Sequence, residues 1–273
     1  MTIQIMELWD FNNPELSEAR FRAALADASG DEALILLTQV ARTYGLRGDF
    51  AAALQILAAI EAQVQRAGVE AQVYYYLELG RSYASATHPP ESQTDAVREM
   101  ARAAYLQAVE LAQEAELDRL AIDALHMLAF VDTEPDEQVA WNRKAIAIME
   151  ASTQPEARKW EGALHNNQGY ALHELGRYED ALQEFELALN AHARGGDPQK
   201  IRVAHWMIAW TLRSMGRLQE ALAIQLRLER ECETAGEPDP YVFEELEHLY
   251  TELGDTGQAE IYAAQRKSSM GGG

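Results

Sequence analysis

The sequence predicts an all-α solenoid made of consecutive helical hairpins, and three observations carry this prediction. Residues 164–191 have small or apolar side chains at three- and four-residue spacing on both sides of Gly176, as two amphipathic helices require. The same pattern returns at intervals of 39, 49, 40, 40 and 38 residues. Each clear copy has glycine in its turn and alanine five residues later. A hairpin that cannot bury its own apolar stripe has to stack on neighbouring copies.

Four copies keep both positions in phase, and two are distorted. The glycine and alanine pairs are Gly48 and Ala53, Gly176 and Ala181, Gly216 and Ala221, and Gly254 and Ala259. A unit around Gly80 has a longer loop, residues 87–94, whose two prolines prevent a helix and account for the 49-residue interval. This loop is interpreted as a tolerated surface insertion or as a lid. The unit around Ala129 has a shortened turn.

The helices are expected in pairs over residues 31–46 and 49–67, 70–86 and 95–116, 118–132 and 136–151, 156–175 and 178–194, 198–215 and 218–235, and 239–253 and 256–267. The predicted organisation is an N-terminal capping segment and helix (1–30), the solenoid (31–267) and a disordered tail (268–273). The capping segment is apolar, with Ile3, Leu8, Trp9 and Phe11 among its residues. It either covers the open end of the solenoid or occupies a groove, its own or that of a second copy, which leaves a homodimer possible.

Leu79, Gly80 and Tyr83, with Ala181, Phe185 and Ala188, resemble the two halves of the tetratricopeptide repeat. The period near 40 is similar to the longer-helix variety of that repeat rather than to the common one of about 34 residues. The resemblance covers nearly the whole chain. It implies a right-handed superhelix whose first helices line a concave groove, and it indicates the fold rather than a particular function.

One position in the middle of each first helix marks its repeat: Ala41, Gly80, Ala129, Gly169, Ala209 and Glu247. If the family geometry carries over, the residues three before and one after each marker point into the groove. The candidate binding residues are Arg42, Arg81, His126, Phe130, Asn166, Tyr170, Trp206, Trp210 and His248. Aromatic residues and arginine contribute much of the energy at protein interfaces, and arginine can pair with a carboxylate in a bidentate manner. The alternative is that the two tryptophans fill space between helices. A chaperone-type carboxylate clamp is not expected, because no lysine occupies a predicted groove position.

The leading hypothesis is a non-catalytic interaction module that binds a peptide segment of a partner protein. A small-ligand sensor for a sugar-like or polar metabolite, and a self-associating scaffold, are the alternatives. No cofactor is expected. Catalytic motifs are absent from the sequence, and Glu245 with His248 has di-iron spacing but lacks the second such motif that this site needs.

Charge and composition narrow the partners. The net charge of −21 would repel the phosphate backbone, so no nucleic-acid partner is expected. The charge either keeps the protein soluble or attracts a cationic partner. The single cysteine, Cys232, excludes an internal disulfide. With no apolar run long enough to span a membrane and no basic leader, we expect a cytoplasmic protein without a membrane partner.

Overall fold

The computed structural model describes residues 4–270, and no strand lies among them. The chain divides into two compact units between residues 160 and 161. The helices of the first unit are α1 (Ile5–Leu8), α2 (Pro14–Leu25), α3 (Gly30–Leu46), α4 (Phe50–Val64), α5 (Val69–Tyr83), α6 (Asp95–Glu114), α7 (Asp118–Val131), α8 (Pro135–Ala151) and α9 (Pro155–Arg158). Those of the second are α10 (Glu161–Glu174), α11 (Tyr178–Gly195), α12 (Pro198–Ser214), α13 (Leu218–Ala235), α14 (Pro240–Glu252) and α15 (Thr256–Met270).

The helices pack as consecutive hairpins in both units, which confirms the predicted fold class. The pairs are α3 with α4, α5 with α6, α7 with α8, α10 with α11, α12 with α13 and α14 with α15. In the first unit, α5 also contacts α3 and α7, so the first helices of three hairpins lie side by side. In the second unit, α12 contacts α14 in the same way.

The turn glycines end the first helices as the sequence predicts. Gly48, Gly176, Gly216 and Gly254 have φ values of 78°, 71°, 73° and 80°, in the left-handed region that a Cβ disfavours. At the second of these turns the backbone N–H of Arg177 donates to the carbonyl of Leu172 at 2.9 Å. The turn thereby pairs a carbonyl that the end of α10 would leave free.

The small residue in the middle of a first helix makes room for an aromatic ring on the second. A Cβ added to Gly169 would lie 2.7 Å from Cε1 of Phe185, and one added to Gly80 would lie 2.5 Å from Cε1 of Tyr105. Both rings are fully buried. The hydroxyl of Tyr105 also donates to the carbonyl of Ala84 at 2.9 Å, which satisfies its one polar group.

Helix ends differ from the prediction by up to three residues, and one predicted helix is divided. The helix predicted over 156–175 is two helices, α9 and α10, with a turn at Lys159 and Trp160. The sequence predicts a helix that ends at residue 267 and a disordered tail from Ser268. In the structure, α15 continues to Met270. The hydroxyl of Ser269 bonds back to the carbonyl of Arg266 at 2.8 Å, which supports this last turn. Residues 271–273 lie outside the described part of the chain.

The N-terminal segment packs against the first hairpin. Trp9 is 8% exposed and meets the ring of Phe21 edge-on, with the centroids 5.0 Å apart. Its indole N–H donates to Oε1 of Gln39 on α3 at 3.0 Å. Phe11 stays half exposed, so self-association through this segment remains a prediction. Within residues 4–270, no helix is both long and apolar enough to cross a bilayer.

Candidate functional site

Four of the predicted binding residues line one cavity in the first unit. Its volume is about 230 Å³, and it lies beside α3, α5 and α7. The residues around it are Arg42, Gly45, Leu46, Glu78, Arg81, Ser82, Ser85, Ala86, Thr87, His126, Met127 and Phe130. The fold therefore brings together predicted residues that are almost ninety positions apart in the chain.

Arg81 lies at the charged centre of this cavity, held between two carboxylates. Its Nη1 donates to Oε1 of Glu78 at 2.6 Å, and its Nη2 donates to Oδ1 of Asp123 at 2.5 Å. Burial would raise the pKa of Asp123, but the positive charges of Arg81 and Arg42 outweigh it and lower this pKa to about 2. Both terminal nitrogens of Arg81 are thus engaged within the chain itself.

Arg42 is less firmly held. Its Nη1 is 3.5 Å from Oε1 of Glu78, longer than a good hydrogen bond. Its guanidinium carbon lies 5.3 Å from the ring of Trp9 and 5.4 Å from that of Phe11, and these two rings stack at 4.7 Å. Burial, together with the charge of Arg81, lowers the pKa of Arg42, although an arginine stays protonated in proteins.

Two buried polar atoms beside the cavity have no hydrogen-bond partner among the described residues. They are Oε2 of Glu78 and Nε of Arg42. The side chain of Glu78 is only 1% exposed, so bulk water does not solvate it. Buried polar groups are nearly always paired, so each exception asks for a physical explanation.

The segment that leads from the end of α5 into the inserted loop forms one wall of the cavity. Ser85, Ala86 and Thr87 line it, and the hydroxyl of Thr87 donates to the carbonyl of Gly45 at 3.4 Å. The loop is anchored by His88, whose ring stacks on Phe50 with the centroids 3.4 Å apart. The sequence left open whether this loop is a surface insertion or a lid, and a role as a lid stays a prediction.

In the second unit, three predicted aromatic residues form one cluster with a histidine. The ring of Trp210 is 3.3 Å from that of His173, 5.8 Å from Tyr170 and 6.0 Å from Trp206, measured between centroids. Tyr170 is 45% exposed, whereas His173 is buried. Burial, with a smaller effect of the positive charge of Arg213, lowers the pKa of His173 to about 4. The ring of His173 is therefore neutral at physiological pH.

The two tryptophans differ in their surroundings. Trp206 packs against a core cluster that includes Leu228 and Leu246, and its indole N–H donates to the carbonyl of Tyr241 at 3.1 Å. It also lines a second cavity, of about 450 Å³, beside α12, α13 and α14. Trp206 thus has a packing role in addition to any binding role.

The remaining two predicted residues are not part of these groups. Asn166 is half buried on α10, and His248 is exposed on α14. Neither lines the two cavities. Glu245, which has metal-site spacing with His248, instead accepts from Nε and Nη2 of Arg213 at 2.6 and 3.2 Å. The described residues hold no group of three or more potential metal ligands.

Sequence reasoning missed the partners of the two arginines. Neither Glu78 nor Asp123 is a predicted site residue, although each lies three residues before one on the same helix, a spacing that places side chains on one face. The contact of Trp9 and Phe11 with Arg42 joins residues more than thirty positions apart. In the sequence, only the apolar composition of the N-terminus indicated that this segment packs against the first hairpin.

Comparison with known proteins agrees with this architecture. Residues 160–229 match the family model described as tetratricopeptide repeat. No curated protein sequence matches the chain.

Solved structures share the fold at low sequence identity. The apo form of RapI has a TM-score of 0.75 at 15% identity, with 96% of this chain and 74% of that one covered. A Rap protein complexed with competence and sporulation factor has a TM-score of 0.57 at 16% identity, covering 95% and 72%. A signal transduction ATPase with numerous domains and a tetratricopeptide repeat sensor, from Pyrococcus horikoshii, has a TM-score of 0.73 at 12% identity. The alignment covers 94% of this chain but 39% of that larger one.

The fold and its stacked first helices define the class as a helical-repeat protein. Residues 160–229 match the tetratricopeptide repeat, and the solved structures show that the chain as a whole shares the fold of tetratricopeptide-repeat solenoids. Because these structures are all less than 25% identical to this chain, they are evidence for its fold and not for its function.

Proposed function

We propose that this chain is a non-catalytic interaction module that binds a peptide segment of a partner protein along its first helices. The observation that carries the proposal is the cavity in the first unit, where Arg42, Arg81, His126 and Phe130 meet. A helix face that only meets solvent would not be expected to gather aromatic rings and guanidinium groups around one concave cavity. Such residues contribute strongly to binding where they are desolvated.

The aromatic cluster of the second unit supports the same proposal. Tyr170 presents nearly half of its surface to solvent while its ring stacks on Trp210. An aromatic side chain fixed by a stacked neighbour loses little conformational entropy on binding, so its contact area contributes efficiently. A solved protein of similar fold, the Rap protein complexed with competence and sporulation factor, agrees with binding of a second molecule by this architecture.

A displayed library of random peptides tests the proposal. We expect the wild-type protein to enrich families of related peptides. Arg42→Ala should weaken at least tenfold the peptides that bind the first unit, and Tyr170→Ala those that bind the second. Leu187→Ala is the matched control, because Leu187 is 45% exposed on the second helix of a hairpin, outside the predicted row. No enrichment, or equal loss in the control, would contradict the proposal.

A small-ligand sensor is the second candidate, and the size of the first cavity favours it. Its volume of about 230 Å³ is that of a small metabolite rather than of a long peptide. A ligand that binds only the folded state raises the melting temperature. We would screen polar metabolites by thermal shift, and a rise in wild type that Arg42→Ala abolishes would support this candidate over the first.

A further inference from the structure

The cavity beside α12, α13 and α14 continues the row of aromatic rings in the second unit. Its volume of about 450 Å³ falls within the range of roughly 300–1,000 Å³ that is typical of ligand pockets. One face of α12 presents, at spacings of four, three and four positions, Gln199, Val203, Trp206 and Trp210. The first three line the cavity, and the ring of the fourth stacks on Tyr170. A peptide that lies along these rings therefore meets the cavity.

Apolar side chains form both the inner part and the mouth of this cavity. Leu228, Cys232 and Val242 are between 1% and 4% exposed. Val203 and Tyr241 also line the cavity, but they are 47% and 62% exposed. Exposed apolar side chains that gather around a cavity, rather than scattering singly, are typical of a binding site.

Three polar groups on the wall of the cavity already have partners within the chain. The indole N–H of Trp206 donates to the carbonyl of Tyr241 at 3.1 Å. Oδ1 of Asp239 accepts from the backbone N–H of Tyr241 at 2.9 Å, and Nη2 of Arg202 donates to Oε2 of Glu237 at 3.0 Å. A charged ligand group would have to leave water and compete with these bonds, which costs free energy. The cavity therefore favours an uncharged, apolar group.

The walls favour an aromatic group over an aliphatic one. Trp206 and Tyr241 are two aromatic residues of the wall, and aromatic pairs are stabilised beyond the effect of buried area. The guanidinium of Arg202, whose side chain is 25% exposed, can also stack on a ring. A phenylalanine ring needs no hydrogen-bond partner, which suits a wall whose polar groups are already bonded.

The charge at the rim favours a basic neighbour for this ring. The charged residues that line the cavity are Arg202, Glu237 and Asp239. Glu237 is 67% exposed, and the arginine that pairs with it is the less exposed partner. The rim thus has an excess of negative charge, in a chain whose net charge is −21. Complementary charge at the edge of an interface attracts a partner and sets its specificity.

From these observations we infer that the cavity is the anchor pocket for an aromatic side chain of the bound peptide, with lysine or arginine beside it in the peptide. The ring packs against Trp206 and Tyr241, and the basic neighbour lies near the carboxylate of Glu237. This inference rests on the proposed function, and it names the chemistry of the segment that the module binds. Desolvated pockets that enclose one aromatic residue are where binding energy concentrates at interfaces.

Titration with capped tripeptides tests the pocket directly. The probes are acetyl-Ala-Phe-Ala-amide and its counterparts with leucine or alanine at the centre. The readout is the indole N–H resonance of Trp206, assigned with Trp206→Phe. We expect the phenylalanine probe to bind at least tenfold more tightly than the alanine probe, because its ring leaves water, and at least threefold more tightly than the leucine probe.

Two results of this titration would overturn the inference. Leucine binding as tightly as phenylalanine would contradict the aromatic preference. No shift of the Trp206 resonance with the phenylalanine probe, at concentrations up to its solubility limit, would contradict the pocket itself.

A matched pair of variants tests the location. Val203→Asp places a charge at the mouth of the cavity, whereas Leu187→Asp places one on α11, away from it. The two positions are 47% and 45% exposed, so both variants should fold. We expect the first to weaken the phenylalanine probe at least tenfold and the second to leave its affinity unchanged. Equal affinities in the two folded variants would overturn this location.

The rim charge is tested with acetyl-Lys-Phe-Ala-amide and acetyl-Glu-Phe-Ala-amide. We expect the lysine probe to bind at least threefold more tightly at about 10 mM NaCl and the difference to shrink at about 150 mM, because salt screens the attraction. Glu237→Gln should remove this preference. Equal or tighter binding of the glutamate probe to the wild-type protein would overturn the basic neighbour.

The outcome is distinguishable from that of the proposed function. Enriched library peptides that depend on Tyr170, share no aromatic position and bind Val203→Asp unchanged would leave the interaction module standing and overturn the anchor pocket. Binding of the phenylalanine probe without any enriched peptides would instead contradict the proposed function. Free phenylalanine that binds at least tenfold more tightly than the capped probe would overturn the assignment to a peptide residue.

Discussion

At the scale of single residues, the packing depends on glycines, which have no side chain, as much as on the aromatic rings that they face. Gly169 faces the ring of Phe185 so closely that a Cβ would lie 2.7 Å from it. The ring is fully buried, so it has little freedom to move away. Helix propensity alone would favour alanine by about 1 kcal/mol, whereas overpacking in a rigid core costs about 1–3 kcal/mol.

We therefore expect Gly169→Ala to lower the free energy of unfolding by about 1–2 kcal/mol, because overpacking outweighs propensity. Gly195→Ala is the control, since nothing lies within 4 Å of the added Cβ at the end of α11. That change should be neutral or stabilising. Urea denaturation followed by circular dichroism measures both, and equal effects would show that the contact with Phe185 is unimportant.

A second residue-scale prediction concerns pH. The folded-state pKa of His173, about 4, is below its ordinary value of 6.5, so the unfolded chain binds more protons between these pH values. The stabilisation from the neutral, stacked ring is fully present above pH 6.5 and is lost as pH falls towards 4. This pH-dependent stabilisation is at most about 3 kcal/mol.

His173→Phe keeps an aromatic ring against Trp210 but cannot titrate. We expect its stability to fall less than that of wild type between pH 6.5 and 4, as measured by urea denaturation at each pH. His248→Phe is the control, because His248 is exposed. If the two variants have the same pH profile, the burial of His173 does not govern this dependence.

At the scale of elements, the inserted loop is an ordered part of the hairpin formed by α5 and α6. Nδ1 of His88 accepts from the backbone N–H of Ser85 at 3.1 Å, and Nε2 lies 3.3 Å from the carbonyl of Ser82. Gln93 donates to the carbonyls of Ser85 and His88, at 3.4 and 3.2 Å. The loop thus depends on one buried histidine, which also stacks on Phe50.

We expect His88→Ala to loosen residues 84–94 and to cost about 1–3 kcal/mol, because it removes a buried ring and leaves backbone groups unpaired. Hydrogen exchange should become faster in this loop while α7 keeps its protection. Glu91→Ala, at an exposed position in the same loop, is the control. Faster exchange throughout the first unit would mean that His88 supports the core rather than the loop.

At the scale of the whole molecule, the charge of −21 is the dominant electrostatic feature. Several ion pairs in the second unit, such as that of Arg177 with Asp180, are exposed on both sides and contribute about 0–1 kcal/mol each. Repulsion among so many acidic residues acts across the molecule. Salt screens both the attraction within the ion pairs and the repulsion among the acidic residues. We expect the weaker repulsion to have the larger effect on stability.

The melting temperature should therefore rise between 10 and 150 mM NaCl, as the Debye length falls from about 30 to about 8 Å. Potassium chloride is the control for effects specific to sodium and should give the same rise. A melting temperature that falls with salt would show that the ion pairs outweigh the net charge.

The amino-acid sequence was enough to predict the hairpins, their order and the spacing of the small residues that let the helices approach. These features are local, because helical periodicity and turn glycines act within about forty residues. Arg42 and Arg81 were also placed on one face, since the repeat puts equivalent positions of neighbouring hairpins side by side. What those arginines contact became clear only from the packing of the helices. Arg81 meets Asp123 and Arg42 meets Trp9 across different elements, and such pairings depend on how separate helices pack, which periodicity does not encode.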